Sequence, residues 1–377
     1  MIEENSLEKQ KLVGVIHELT MGGAERMMVN ILNHFFSNGD EVHLIIFKNI
    51  GTLKGLLHKD IIVHDLESSS VKKGMSKCLR TIHEIRPDIV FSGIGHVNIA
   101  LAPFIPLMRN FLPKTRWISR ETNIVSLQNQ EEKYPKVFDA LYRKTYQNFD
   151  VIIAQSEDMK DDLEQHYPAT KSKITLVNNP INIEKVNELS SEKINFKFAM
   201  DKVNLISVGT LRYRKRHDLL LKCLSKLPNF YTLTIVGSGE EESNLKIFSH
   251  ALGLENRVHF EGHQTNPYPY VKGADLFVLT SEHEGFPNVL LEANSLGIPV
   301  IAFACPGGIT EIIEEGINGY SVLNGDVKAL ALTIEKAIAK KFDKEWVVDS
   351  VKRRYSHAII FEKYEQLFYN KGTPHGL

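Results

Sequence analysis

The amino-acid sequence predicts an α/β fold with two doubly wound, Rossmann-like domains in tandem. Three observations carry that prediction. Short apolar runs alternate with helix-sized stretches along the chain, the pattern of a parallel sheet covered by helices on both faces. The alternation pauses in a polar stretch that ends near Lys202 and then restarts from a new opening strand. The length of 377 residues suits two domains of roughly 150–200 residues each.

"KLVGVIHEL" (Lys11–Leu19) reads as a first buried strand, "TMGGAER" as its turn and "MMVNILNHFF" as a helix with apolar residues at helical spacing. "EVHLIIF", "DIVFSG", "TRWISR" and "FDVIIAQS" supply further strands. After "ITLVNNPIN" the polar "NELSSEKINFK" reads as a linker, which places the first domain at residues 1–185 and the second at 200–355. The second opens on "VNLISVGTL" (Val203–Leu211), turns through "RYRKRH", and continues into the helix "DLLLKCLSKL" and the strand and turn "TLTIVGSGEE". "ADLFVLT" (Ala274–Thr280) is a later buried strand, and Asn288–Leu296 a helix whose first turn follows Pro287. The amphipathic "SHAIIFEKYEQLFYN", residues 356–370, is a helix suited to packing back on the first domain. Ligands of such sheets bind outside the carboxyl ends of the strands, so the two domains are expected to face a shared central cleft.

A net charge of −1 gives no support to nucleic-acid binding as a global property. Charge is nevertheless uneven: between Ser68 and Arg120, Lys72, Lys73, Lys77, Arg80, Arg86, Arg109, Lys114, Arg116 and Arg120 face only Glu84 and Asp88. The same segment holds "NIALAPFIPLMRNFLP" (Asn98–Pro113), which Pro103, Pro106 and Arg109 make a poor spanning helix and a fair interfacial one. Contact with a membrane surface and a solvated basic face beside a core helix both remain open. Cys78, Cys223 and Cys305 are scattered, which suits a reducing cytosol, and "MIEENSLEKQ" is unlike a secretory signal, so a cytoplasmic location is expected.

Chemistry concentrates at strand ends. "GTLRYRKRHDLL" crowds Arg212, Arg214, Lys215 and Arg216 where a helix begins, and cations there oppose the helix dipole unless an anion meets them. A diphosphate is the economical partner, with Lys215 and Arg212 as its ligands. "MGGAER" lets the backbone at Gly22 and Gly23 approach an anion, although a tight turn with no ligand explains it too. "VGSGEEE" has two glycines and lacks the third of a dinucleotide fingerprint, so a plain turn fits as well. The chain has no GxxxxGK[ST] loop and no Asp-x-Asp pair, which argues against P-loop chemistry and against a nucleotide held through a carboxylate-bound metal; no metal site is expected. His96, in "SGIGHVN", is the one histidine kept as a site candidate.

"EGFPNVLLE" (Glu284–Glu292) resembles the E-x7-E motif of retaining glycosyltransferases of the GT-B fold, family GT4, and stands in the family's order with "GTLRYRK" and "MGGAER". "ACPGGITEIIEEGINGYSV" (Ala304–Val322) resembles the segment that follows. The likeness covers nearly the whole chain and is weakest between residues 48 and 170. It implies that Glu284 holds donor-sugar hydroxyls, that backbone amides around Gly285, Phe286, Asn288 and Val289 meet sugar and phosphate, and that Glu292 binds the ribose. Lys215 and Arg212 would stabilise the departing nucleoside diphosphate in place of a metal. Two departures stand out: Thr210 occupies a position where the family often has arginine, and "RWISRETN" offers Ser119, Arg120 and Glu121 where many members have a sugar-contacting histidine. Arg120 is therefore assigned to an acceptor phosphate, with His96 as the alternative contact.

The resemblance implies a retaining, metal-independent hexosyltransferase that needs no cofactor. It would move a hexose or N-acetylhexosamine from a nucleotide sugar, most simply UDP-linked, to a polyprenyl-diphosphate-linked or growing surface glycan such as lipopolysaccharide O-antigen, capsule or exopolysaccharide. The first domain would bind acceptor and the second donor, at the inner face of the cytoplasmic membrane. Two rivals share the fold: a UDP-sugar 2-epimerase and a non-catalytic nucleotide-sugar-binding protein.

Overall fold

The computed structural model describes residues 9–20 and 22–369. Met21 of the glycine loop and Asn370, the last residue of the expected C-terminal helix, lie outside the described residues. The chain divides into two compact units, Met1–Asn179 with Ile360–Leu377, and Pro180–Ile359.

Unit 1 is built on seven strands, β1 (Lys11–Ile16), β2 (Glu41–Ile46), β3 (Ile62–Asp65), β4 (Ile89–Ser92), β5 (Arg116–Arg120), β6 (Val151–Ala154) and β7 (Ile174–Leu176). They form one sheet in the order β3-β2-β1-β4-β5-β6-β7, every pairing parallel. The central strands are near-continuous apolar runs because helices cover both faces. Val13, Val15, Ile45, Phe47, Val90, Trp117 and Ile152 meet the helix residues Met75, Cys78, Ile82 and Leu163 in one buried cluster. The helix His357–Phe368 supplies further packing in this unit: Phe368 stacks on Phe35 at 4.5 Å, Glu365 reaches His34 at 2.9 Å, and Arg116 donates to the carbonyls of Leu367 and Phe368.

Unit 2 repeats the plan with β8 (Val203–Val208), β9 (Tyr231–Val236), β10 (Val258–Gly262), β11 (Leu276–Leu279), β12 (Val300–Phe303) and β13 (Gly319–Val322). The order is β10-β9-β8-β11-β12-β13, again all parallel. In both sheets the winding reverses once, between β1 and β4 in unit 1 and between β8 and β11 in unit 2. The crevice outside the strand ends at such a reversal is where open α/β sheets take their ligands.

Candidate functional site

In unit 2 the two loops flanking the reversal carry the charged residues. The segment after β8 forms a short turn, Tyr213–Lys215, and Arg216 then takes a left-handed conformation (φ 49°) before the helix His217–Leu224. The segment after β11 brings Glu284 opposite. Lys215 Nζ lies 2.5 Å from Glu284 Oε1, the Ser281 hydroxyl donates to the same oxygen at 2.5 Å, and Arg214 stands 3.7 Å from Oε2 while donating to the His283 carbonyl. Burial alone would raise the Glu284 carboxyl, but Lys215, Arg214 and Ser281 outweigh it and hold it below the usual carboxylate value. A charged carboxylate and two cations are thus kept together in a buried setting at neutral pH.

Glycines hold both loops by close backbone approach. A Cβ on Gly307 (φ 126°) would lie 2.4 Å from the Glu284 carbonyl, so the Cys305–Gly308 turn fits beneath the Glu284 loop only with glycine there. Gly237 and Gly239 play the same part for the basic loop, against the carbonyls of Gly209 and Leu211. The glycines of "VGSGEEE" are therefore packing residues, the plainer of the two readings of that motif.

Beside Glu284, the helix Asn288–Ser295 begins after Pro287 with no side chain capping its first turn. Its amides at Asn288 and Val289 lie at the positive end of the helix dipole, a setting that favours an anion. Phe286 is buried edge-on against Tyr355 and the Gly285 carbonyl accepts from the Gly308 amide, so these two residues shape the loop. One turn into the helix, Glu292 Oε1 accepts a hydrogen bond from the buried Tyr268 hydroxyl at 3.1 Å.

Several expected placements change. Arg212, expected as a diphosphate ligand with Lys215, is extended, precedes the turn and stays exposed, and it is Arg214, inside the turn region, that stands beside Glu284. In unit 1, Gly22 caps the helix Gly23–Ser37, but its amide donates to the Thr20 carbonyl and the Glu25 carboxylate folds over it, 2.0 Å from where a Cβ would be. That helix start, Gly23 included, already carries the chain's own anion, which does not suit it to a ligand phosphate in this conformation. Arg120 is 2% exposed, donates to Asn179 Oδ1 and interacts with Tyr364, so its cation is spent inside unit 1 and presents nothing to an acceptor phosphate. His96 does stand at the reversal between β1 and β4, edge-on to His17 at 5.3 Å; loss of solvent around the ring, and then His17, lower its pKa.

Arg214, Ser281 and Tyr268 escaped the sequence reading. Arg214 had a signal, the cationic run, but the turn decides which cation points inward. Tyr268 had none, since it meets Glu292 from 24 residues away. If Glu292 binds a ribose diol, Tyr268→Phe removes one of the contacts that orient its carboxylate. The expected result is a roughly ten- to hundredfold weaker Kd for UDP, the cost of one hydrogen bond to a charged group, with no change for 2′,3′-dideoxy-UDP. Calorimetric titration of the two ligands checks it, and equal weakening of both would show a merely structural role.

Among the described residues no three His, Cys, Asp or Glu side chains are grouped to hold a metal ion. Two parallel-sheet units, each with a single winding reversal, follow the GT-B plan, and the loops at the unit 2 reversal carry the charge cluster. The model of the family described as "Glycosyl transferases group 1" matches residues 190–352, and that described as "Glycosyltransferase Family 4" matches residues 21–185. An uncharacterised glycosyltransferase of Methanocaldococcus jannaschii is 30% identical over 71% of this chain and 70% of its own. The chain therefore belongs to the group 1 glycosyltransferases. It is also 28% identical, over 83% of its length and 86% of the other's, to the N-acetylgalactosamine-N,N′-diacetylbacillosaminyl-diphospho-undecaprenol 4-alpha-N-acetylgalactosaminyltransferase of Campylobacter jejuni. The crystal structure of Anabaena HepE in complex with UDP-glucose superposes with a TM-score of 0.78 at 20% identity, covering 96% of this chain and 100% of the other.

Proposed function

We propose that this glycosyltransferase is retaining and metal-independent, and transfers a hexose or N-acetylhexosamine from a UDP-sugar to a lipid-linked or growing surface glycan. The observation that carries the reading is the Lys215–Glu284–Arg214 cluster beside an uncapped helix start. A donor diphosphate would take the Lys215 and Arg214 charges and the helix amides, and exposed Arg212 adds a further cation on that loop. Its sugar would then meet Glu284, whose carboxylate accepts hydrogen bonds from vicinal hydroxyls. As the glycosidic C–O bond breaks, the electron pair goes to the diphosphate oxygen, and lysine and arginine stabilise the growing charge there. Glu292, on the same helix, would bind the ribose. The acceptor class draws support from the named substrate of the Campylobacter relative, and the base from the HepE complex with UDP-glucose.

Purified protein offered UDP-, GDP- and ADP-sugars is expected to release nucleotide from a UDP-sugar, at a rate that EDTA leaves unchanged and Glu284→Ala abolishes. A requirement for a divalent ion, or no nucleotide sugar bound at all, would remove this reading. Conversion of the donor to its 2-epimer would favour the epimerase.

A further inference from the structure

The outer face of one helical segment in unit 1 is apolar where water should be. From Gly95 to Arg109 the chain is almost continuously helical, with a short tight turn at Ala102–Phe104. Ile105, Met108 and Leu112 form its buried stripe, as expected of a helix on a core. The neighbouring stripe repeats the same spacing with Phe104, Leu107 and Phe111, which are 38%, 54% and 59% exposed. Pro103, Pro106 and Pro113 lie beside them, and Arg109 is turned away into an ion pair with Asp150 at 2.7 Å. Three large apolar side chains in a row thus keep a large share of their surface on the solvent side.

Cations border this stripe. Phe111 touches His83 edge-on at 5.5 Å, which joins the segment to the helix Val71–Ile85. On that helix Lys72, Ser76 and Arg80 share the stripe that leads to His83, and Lys73 adjoins it, all four exposed. Lys114 follows Phe111 by three residues and is exposed as well. Lys77 also lies on the exposed side and donates to the Leu66 carbonyl. The one acid of the helix, exposed Glu84, adjoins His83 and follows Arg80 by four residues, where it offsets part of the charge, while Lys72 and Lys73 extend the basic face toward the other end. An apolar ridge flanked by lysine and arginine matches an anionic lipid surface, with side chains entering the acyl boundary while the cations meet headgroup phosphates.

We propose that Phe104, Leu107 and Phe111, with Lys72, Lys73, Arg80 and Lys114, form a membrane-docking surface that seats unit 1 on an anionic bilayer. Docking there would hold the enzyme where a lipid-linked acceptor presents its headgroup. This deepens the acceptor part of the proposed function and rests on it for its purpose only. No helix among the described residues is long and apolar enough to cross a membrane, so attachment through this ridge is peripheral.

The test is co-sedimentation of the full chain with vesicles of phosphatidylcholine alone and of phosphatidylcholine mixed with phosphatidylglycerol. Wild type is expected to sediment with the mixed vesicles, to be released by high salt, and to bind neutral vesicles far less. Lys72→Gln with Arg80→Gln should weaken binding on the order of twentyfold, about fivefold for each cation. Leu107→Glu with Phe111→Glu should abolish it. Both variants should keep wild-type melting temperature and wild-type release of UDP from a UDP-sugar in solution, since the ridge lies outside the donor loops. Failure of wild type to bind mixed vesicles, or unchanged binding by both variants, overturns the proposal. Loss of donor cleavage by wild type would instead count against the transferase reading.

Discussion

Lys215→Ala is expected to slow cleavage of a UDP-sugar about a hundred- to a thousandfold in kcat, with a much smaller change in donor Kd. That range is what removing one preorganised donor to a developing oxyanion costs. Lys215 sits 2.5 Å from Glu284 and is mostly enclosed, so its charge acts in a setting of low effective dielectric, where it would stabilise a leaving diphosphate far more than a solvated lysine. The charge on that leaving group grows as the bond breaks, and this is why the loss should appear in kcat. Truncation also leaves the Glu284 carboxylate short of its nearest cation, at a structural cost of about 3–5 kcal/mol. The double variant Lys215→Met, Glu284→Gln isolates the structural part: it removes both charges and should recover the melting temperature, while turnover, which also needs Glu284, is read on Lys215→Ala alone. Single-turnover UDP release and thermal unfolding provide the readouts. A deficit confined to KM would show that Lys215 serves donor binding and not the departing phosphate.

Much of this site was legible because its signals are local. Pro287 fixes the first turn of the helix Asn288–Ser295, so the positions of Glu284 and Glu292 on either side of a helix start follow from sequence spacing alone. The opening strands β1 and β8 are apolar runs followed by turn residues, and both appear where expected. Strands β3, β7, β10, β12 and β13 were not singled out. β3, at a sheet edge, is partly exposed and reads Ile-Val-His-Asp, and β13 opens with a glycine that only its close approach to the Val300 carbonyl explains. Contacts between distant segments were out of reach in principle. Arg120 looked like a free cation at a strand end, yet Asn179 and Tyr364 enclose it. Gly22 looked like an anion cradle, yet Glu25, three residues on, fills it. The first miss is a matter of long-range packing and the second of a side chain folding back, and periodicity reports neither.

Arg120's neighbour leads to the other large expected effect, which concerns stability. Glu121, at the carboxyl end of β5, is buried; its Oε1 accepts from Asn98 Nδ2 at 2.9 Å, and Asn98 in turn holds the Arg120 carbonyl and the Ser92 hydroxyl. Burial dominates over the Asn98 hydrogen bond and the Arg120 charge, and pushes the Glu121 carboxyl from 4.5 up to about 8. The folded protein therefore keeps this proton at neutral pH while the unfolded chain has lost it. The stability associated with that proton is complete below the unfolded value near 4.5 and declines as pH rises, until the folded group ionises near 8. Across that window the loss amounts to about 4–5 kcal/mol, because a tenfold change in proton affinity is worth roughly 1.4 kcal/mol. Glutamine resembles the protonated acid and does not titrate. Glu121→Gln should thus flatten the decline and raise the melting temperature near pH 8 on the order of 10 °C, with little change near pH 4.5. Thermal unfolding of both proteins across this range measures the effect. Parallel pH profiles would mean that Glu121 is ionised in the folded state, and that the Asn98 and Arg120 interactions, instead of burial, set its charge.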